Sequence, residues 1–145
     1  MDEAHFVDLT QCMVGLPIAA TWLGDYTALY LEIGPLTGVY SKSGRPKAQL
    51  TAYLGFQWVL ESDAGQELSS ADPAAAKRIG STLTGDHIAA VSLSPFYELI
   101  LTLQSRRLVY SVAADTGESE WTLYLPTGSC IAVEARRLVL ESSDD

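Results

Sequence analysis

A chain of 145 residues with 48% hydrophobic and 19% charged side chains has the make-up of one folded domain with a sizeable core. Its net charge of −9 at pH 7 opposes binding to nucleic acid or to an anionic membrane surface, and suits a basic protein partner. No apolar run approaches the roughly 20 residues of a membrane span, and the acidic start MDEAHFVDL lacks the basic stretch of a signal peptide, so a cytoplasmic location is expected.

Residues 2–14 read as a short helix, with Phe6, Leu9 and Met13 at helical spacing, Asp2 or Glu3 at its positive end and Gly15 and Pro17 beyond it. From Pro17 the period changes to two. Ile18, Ala20 and Trp22 alternate, and so do Leu29, Leu31 and Ile33, with a hairpin turn at Gly24-Asp25. Residues 34–47 carry GPLTG and SKSGRPK and are expected to form a loop. Leu50, Ala52, Leu54, Phe56, Trp58 and Leu60 then suggest one long strand, with a bulge or bend at Gly55.

Residues 62–86 read as loop, interrupted by a short helix from Pro73 to Ile79 with Asp72 as its N-cap. Six further strands are predicted: Ile88–Leu93, Tyr97–Leu103, Leu108–Val112, Glu120–Leu125, Ser129–Glu134 and Leu138–Leu140. The fold expected is mainly β: an antiparallel sandwich or barrel from two similar halves, with a short N-terminal helix. The two halves, about 17–70 and 87–141, are suggested by a self-similarity at an offset of 70. PIAATWLGDYTALYLEI aligns with HIAAVSLSPFYELILTL, repeating the triplet Ile-Ala-Ala, and Val39-Tyr40-Ser41 aligns with Val109-Tyr110-Ser111.

Signs of covalent chemistry are few. Cys12 and Cys130 sit in no CxxC pair and read as buried free thiols; with His5 and His87 they make no metal-ligand spacing. Asp115-Thr116-Gly117 matches the triplet of aspartic proteases, but only 28 residues follow it, and the same residues are ordinary turn chemistry between strands. His87 follows Asp86 at a strand start, where neighbouring side chains point to opposite faces, and no GxSxG elbow is present. No catalytic residue, metal or cofactor is therefore assigned. The three tryptophans fall in phase with apolar strand faces and are expected in the core, whereas Tyr30, Tyr53 and Tyr124 fall on the opposite phase. Arg106-Arg107 and Arg136-Arg137 read as solvated hairpin residues.

The combination of QWVLE (57–61), LTG (83–85), YELILTL (97–103) and EWTLYLP (120–126) resembles a group of small bacterial β-rich proteins of unassigned function. That resemblance implies a fold and no chemistry. The first functional reading is a non-enzymatic, immunity-like interaction module. It would meet a basic partner through Asp115, Glu118 and Glu120 on one hairpin beside Trp121, with self-association left open. The alternative is a small-molecule binding β domain with a pocket between the two halves.

Overall fold

The computed structural model describes residues 1–113 and 121–142. Helix α1 (Glu3–Thr10) runs on through a 3-10 turn at Gln11–Met13. The strands that follow are β1 (Ile18–Leu23), β2 (Leu29–Tyr40), β3 (Pro46–Gly55), β4 (Trp58–Ser62) and β5 (Gly65–Ser69). Two short helices, α2 (Pro73–Ala76) and α3 (Ile79–Leu83), precede β6 (Ile88–Leu93), β7 (Leu99–Leu103), β8 (Leu108–Ser111), β9 (Thr122–Tyr124), β10 (Cys130–Glu134) and β11 (Arg137–Glu141).

Two antiparallel sheets pack as a sandwich, and neither closes into a barrel: one has the order β1-β2-β3-β9-β10-β11 and the other β5-β4-β8-β7-β6. Each sheet therefore joins a three-strand meander from one half of the chain to strands from the other half, through the pairs β3–β9 and β8–β4. The predicted long strand is broken for this reason. Gly55, at φ +80°, turns the chain out of the first sheet, and Trp58 opens β4 in the second. Trp58 is buried and its indole N–H donates to the Thr27 carbonyl at 2.7 Å. Trp121 is also buried and donates to the Tyr97 carbonyl at 2.6 Å. Thr27 and Tyr97 stand 70 residues apart.

The same offset runs through the frame. β1 pairs with β2 as Ile18–Ile33, then Ala20–Glu32; β6 pairs with β7 as Ile88–Leu103, then Ala90–Thr102. Ala19 and Ala89 are thus the extra residues of two β-bulges, placed in the repeated Ile-Ala-Ala triplet. Gly15 donates to the Ile88 carbonyl at 2.7 Å and Gly85 to the Ile18 carbonyl at 2.9 Å. Ile18 donates to Asp86 at 2.7 Å and Ile88 to Leu16 at 2.9 Å, and Pro17 forms a bridge with His87. These bonds are reciprocal about the Pro17–His87 bridge. Gly15 and Gly85, at φ +88° and +96°, supply the left-handed turn each crossing needs. Asp2 caps α1 by accepting from the His5 N–H, and Asp72 caps α2 by accepting from the Ala75 N–H.

Between the sheets lies one continuous core. Ile18, Leu29, Leu31 and Ile33 from one hairpin meet Ile88, Leu99, Leu101 and Leu103 from the other, all essentially without solvent exposure. Several expectations need correction. Residues 34–47 are not a loop throughout: β2 continues to Tyr40 and β3 starts at Pro46, with register shifts that absorb the glycines and proline. The stretch after Ser62 contains strand β5, paired to β4 around a turn at residues 63–64. Arg107 is not simply solvated, since it donates to the Thr82 carbonyl at 2.8 Å and pairs with Asp86 at 3.0 Å. Cys12 is exposed and Cys130 half-buried, both free.

Candidate ligand-binding cleft

The bulge at Ala19 decides where Trp22 goes. An inserted residue reverses the alternation, so Thr21 and Leu23 share the inward face with Ile18, and Trp22 moves to the outer face. The core position expected for Trp22 is therefore wrong, while Trp58 and Trp121 occupy theirs. Register then lines up Trp22, Tyr30 and Tyr53 across β1, β2 and β3 on the outer face. Trp22 and Tyr30 are stacked, with centroids 3.9 Å apart and planes 1° from parallel; Tyr53 follows at 4.8 Å, tilted by 40°. The three form an aromatic ladder. Tyr124, in the next row, is 47% exposed.

That next row holds Glu32, a carboxylate with no solvent exposure. Its Oε1 accepts from the Ala48 N–H at 2.9 Å and the Thr51 hydroxyl at 2.8 Å, with the Lys47 ammonium at 3.8 Å. The β2–β3 turn also carries Arg45, whose guanidinium carbon lies 5.6 Å from the Trp22 ring centroid. With Tyr30 against one face of the indole, the guanidinium takes the other.

Trp22 and Arg45 form one wall of a cleft of about 460 Å³. Thr21, Leu23, Gly24 and the exposed Tyr26 continue that wall, and Lys77, Ile79 and Gly80 of the α2–α3 segment form the other. The cleft thus lies between β1 of the first half and the short helices that lead into the second. Gly80 lets the segment approach β1 closely, since a Cβ there would come within 3.0 Å of the Thr21 hydroxyl oxygen. Among the described residues no Asp or Glu lines it, and Arg45 and Lys77 are exposed and make no ion pair. Thr21 Oγ1 and Trp22 Nε1 are buried with no hydrogen-bond partner among the described residues. Burial, and secondarily the charge of Asp25, raise the Tyr30 pKa. A hollow of about 420 Å³ elsewhere is lined by Phe56, Gln57, Gln66, Ser69 and Ser70, with no charged side chain.

The remaining sequence candidates carry little chemistry. Burial raises the Cys130 pKa and the nearby Glu141 carboxylate raises it further, so this thiol is poorly set up as a nucleophile. Asp86 takes the His87 backbone N–H and does not orient its ring through that bond; its other partners are Ser105 and Arg107. Asp115, Glu118 and Glu120, the predicted partner-binding carboxylates, and the Asp-Thr-Gly triplet lie outside the described residues. Sequence reasoning missed Arg45 and Lys77 because only the fold brings them to Trp22. No family model, no curated protein and no solved structure matches this chain.

Proposed function

We propose that the protein is a non-catalytic binding domain that holds a small molecule in the cleft between β1 of its first half and the short helices α2 and α3. The observation that carries this reading is convergence. Trp22, Tyr26 and Arg45 come from the first meander and Lys77 from the segment entering the second, and all four line one concavity. Among the described residues the lining holds no carboxylate, histidine or thiol to act with a nucleophile, which supports binding over turnover. The reciprocal bonds at an offset of 70 further support descent of both halves from one duplicated unit.

The acidic-face reading draws no support from the described surface, since its three carboxylates lie outside it. A thermal-shift screen of small molecules tests the cleft. Compounds that raise the midpoint should lose that effect in Trp22→Ala, because the indole forms the cleft wall. A screen with no stabilising compound, or with effects that persist in Trp22→Ala, overturns the reading.

A further inference from the structure

Resting on the reading of this cleft as a ligand site, we propose that its ligand is a flat aromatic ring bearing an anionic group, a carboxylate or a phosphate.

The charge argument comes first. The chain carries 18 Asp and Glu against 9 Lys and Arg, yet among the described residues two cations and no carboxylate line this cleft, with Asp25 lying between its lining residues Gly24 and Tyr26. Each cation in turn comes from a different element, Arg45 from the β2–β3 turn and Lys77 from the residue after α2. An anion between them gains from both, and a planar carboxylate or phosphate suits the guanidinium fork.

Aromatic surface supplies the second argument. The Trp22 indole is braced by Tyr30 on one face, and the Arg45 guanidinium carbon lies over the ring, 5.6 Å from its centroid. At the rim, Tyr26 is 79% exposed and held at φ +67°, a backbone region that costs a non-glycine residue on the order of 1 kcal/mol. A ring entering the cleft meets the Arg45 guanidinium that lies over the indole, and the exposed Tyr26 phenol, as surfaces to stack on.

The third argument is that the fold does not require these features. The matching concavity, between α1 and β6, measures about 220 Å³ and is lined by Glu3, Phe6, Val7, Val91, Ser92 and Leu93. At an offset of 70, Ser92 stands for Trp22, Val91 for Thr21 and Val7 for Lys77. An equivalent frame folds there with no cation and with a carboxylate.

The test is isothermal titration of the full chain with adenosine monophosphate, 1-naphthyl phosphate and indole-3-carboxylate as ring-bearing anions. Adenosine serves as a ring without charge and inorganic phosphate as charge without a ring. At least one ring-bearing anion should bind, and adenosine and inorganic phosphate should each bind about tenfold more weakly or worse than the best of them. Arg45→Gln and Lys77→Gln, both at exposed positions, should each weaken the best ligand about tenfold while moving the melting midpoint by no more than a few degrees. Adenosine binding as well as adenosine monophosphate, with loss in Trp22→Ala, would sink the anionic class and leave the cleft standing. Anion binding indifferent to Trp22→Ala and Lys77→Gln would sink both. Binding by none of the ring-bearing anions overturns the proposal.

Discussion

The two hairpins β1–β2 and β6–β7 are the same device with different surfaces. Both carry a bulge after the first residue, both send four aliphatic side chains into the core, and both close with the same bond, Gly24 to Ala28 at 2.8 Å and Ser94 to Glu98 at 2.9 Å. Their outer faces diverge. The first presents Trp22 against Tyr30 and the buried Glu32; the second presents Ser92, Ile100 and Thr102 at the same register positions. Their turns diverge too, with the left-handed residue at Tyr26 in one and at Tyr97 in the other. Core packing constrains the buried face of each hairpin, because a one-residue slip would expose it. The outer face is free of that constraint, and on the first hairpin alone it carries an aromatic ladder and a buried carboxylate.

Substitutions at matched positions probe how far the equivalence extends. Leu31→Ala and Leu101→Ala should each destabilise by about 2–5 kcal/mol, and by similar amounts, since both side chains are fully buried. Urea unfolding measures this, and one tolerated substitution beside one severe one would break the equivalence of the cores. Glu32→Ala should cost about 1–3 kcal/mol, because it strands the Ala48 N–H and the Thr51 hydroxyl, whereas Thr102→Ala should cost less than about 1 kcal/mol. Equal costs at these two positions would show that the outer faces do not differ in the way described.

Asp86 tests the crossing point, where its counterpart at the same offset is the uncharged Leu16. Burial raises the Asp86 pKa, but hydrogen bonds from the Ser105 hydroxyl, the His87 N–H and Arg107 outweigh it and hold the group below the ordinary carboxylate value. A depressed folded pKa stabilises the protein above the unfolded value, and that contribution fades as pH falls through the folded one. Acid titration of stability should therefore show a slope below about pH 4 that is reduced in Asp86→Asn, which itself should cost about 1 kcal/mol at neutral pH. An unchanged slope would remove Asp86 from the account. The smallest effect belongs to the turns. Tyr26→Gly relieves a left-handed tyrosine with an exposed side chain and should leave stability within about 0.5 kcal/mol. Tyr97→Gly removes a ring packed on the core and should cost more than about 1 kcal/mol.

Much of the fold was legible because strands with one buried face write their period into the sequence. The six C-terminal strands, the N-cap at Asp72 and the core tryptophans 58 and 121 follow from alternation and capping chemistry. The repeated Ile-Ala-Ala triplet was visible, but its meaning was not: alternation alone cannot show that Ala19 is an extra residue, and so it put Trp22 on the wrong face. The break at Gly55 was visible as a glycine, while the change of sheet depends on partners far along the chain. The cleft was not legible at all. Trp22, Arg45 and Lys77 are separated by 23 and 32 residues and share no motif, so only tertiary packing unites them.

Nuclear magnetic resonance of 15N-labelled protein titrated with the tightest ring-bearing anion tests the proposed cleft directly against its counterpart between α1 and β6. The result expected is perturbation of the Trp22 indole N–H and of the Gly24, Tyr26, Lys77 and Gly80 amides, with Val7, Val91, Ser92 and Leu93 unmoved. Shifts centred on Ser92 and Val7, or shared equally between the two concavities, would contradict it.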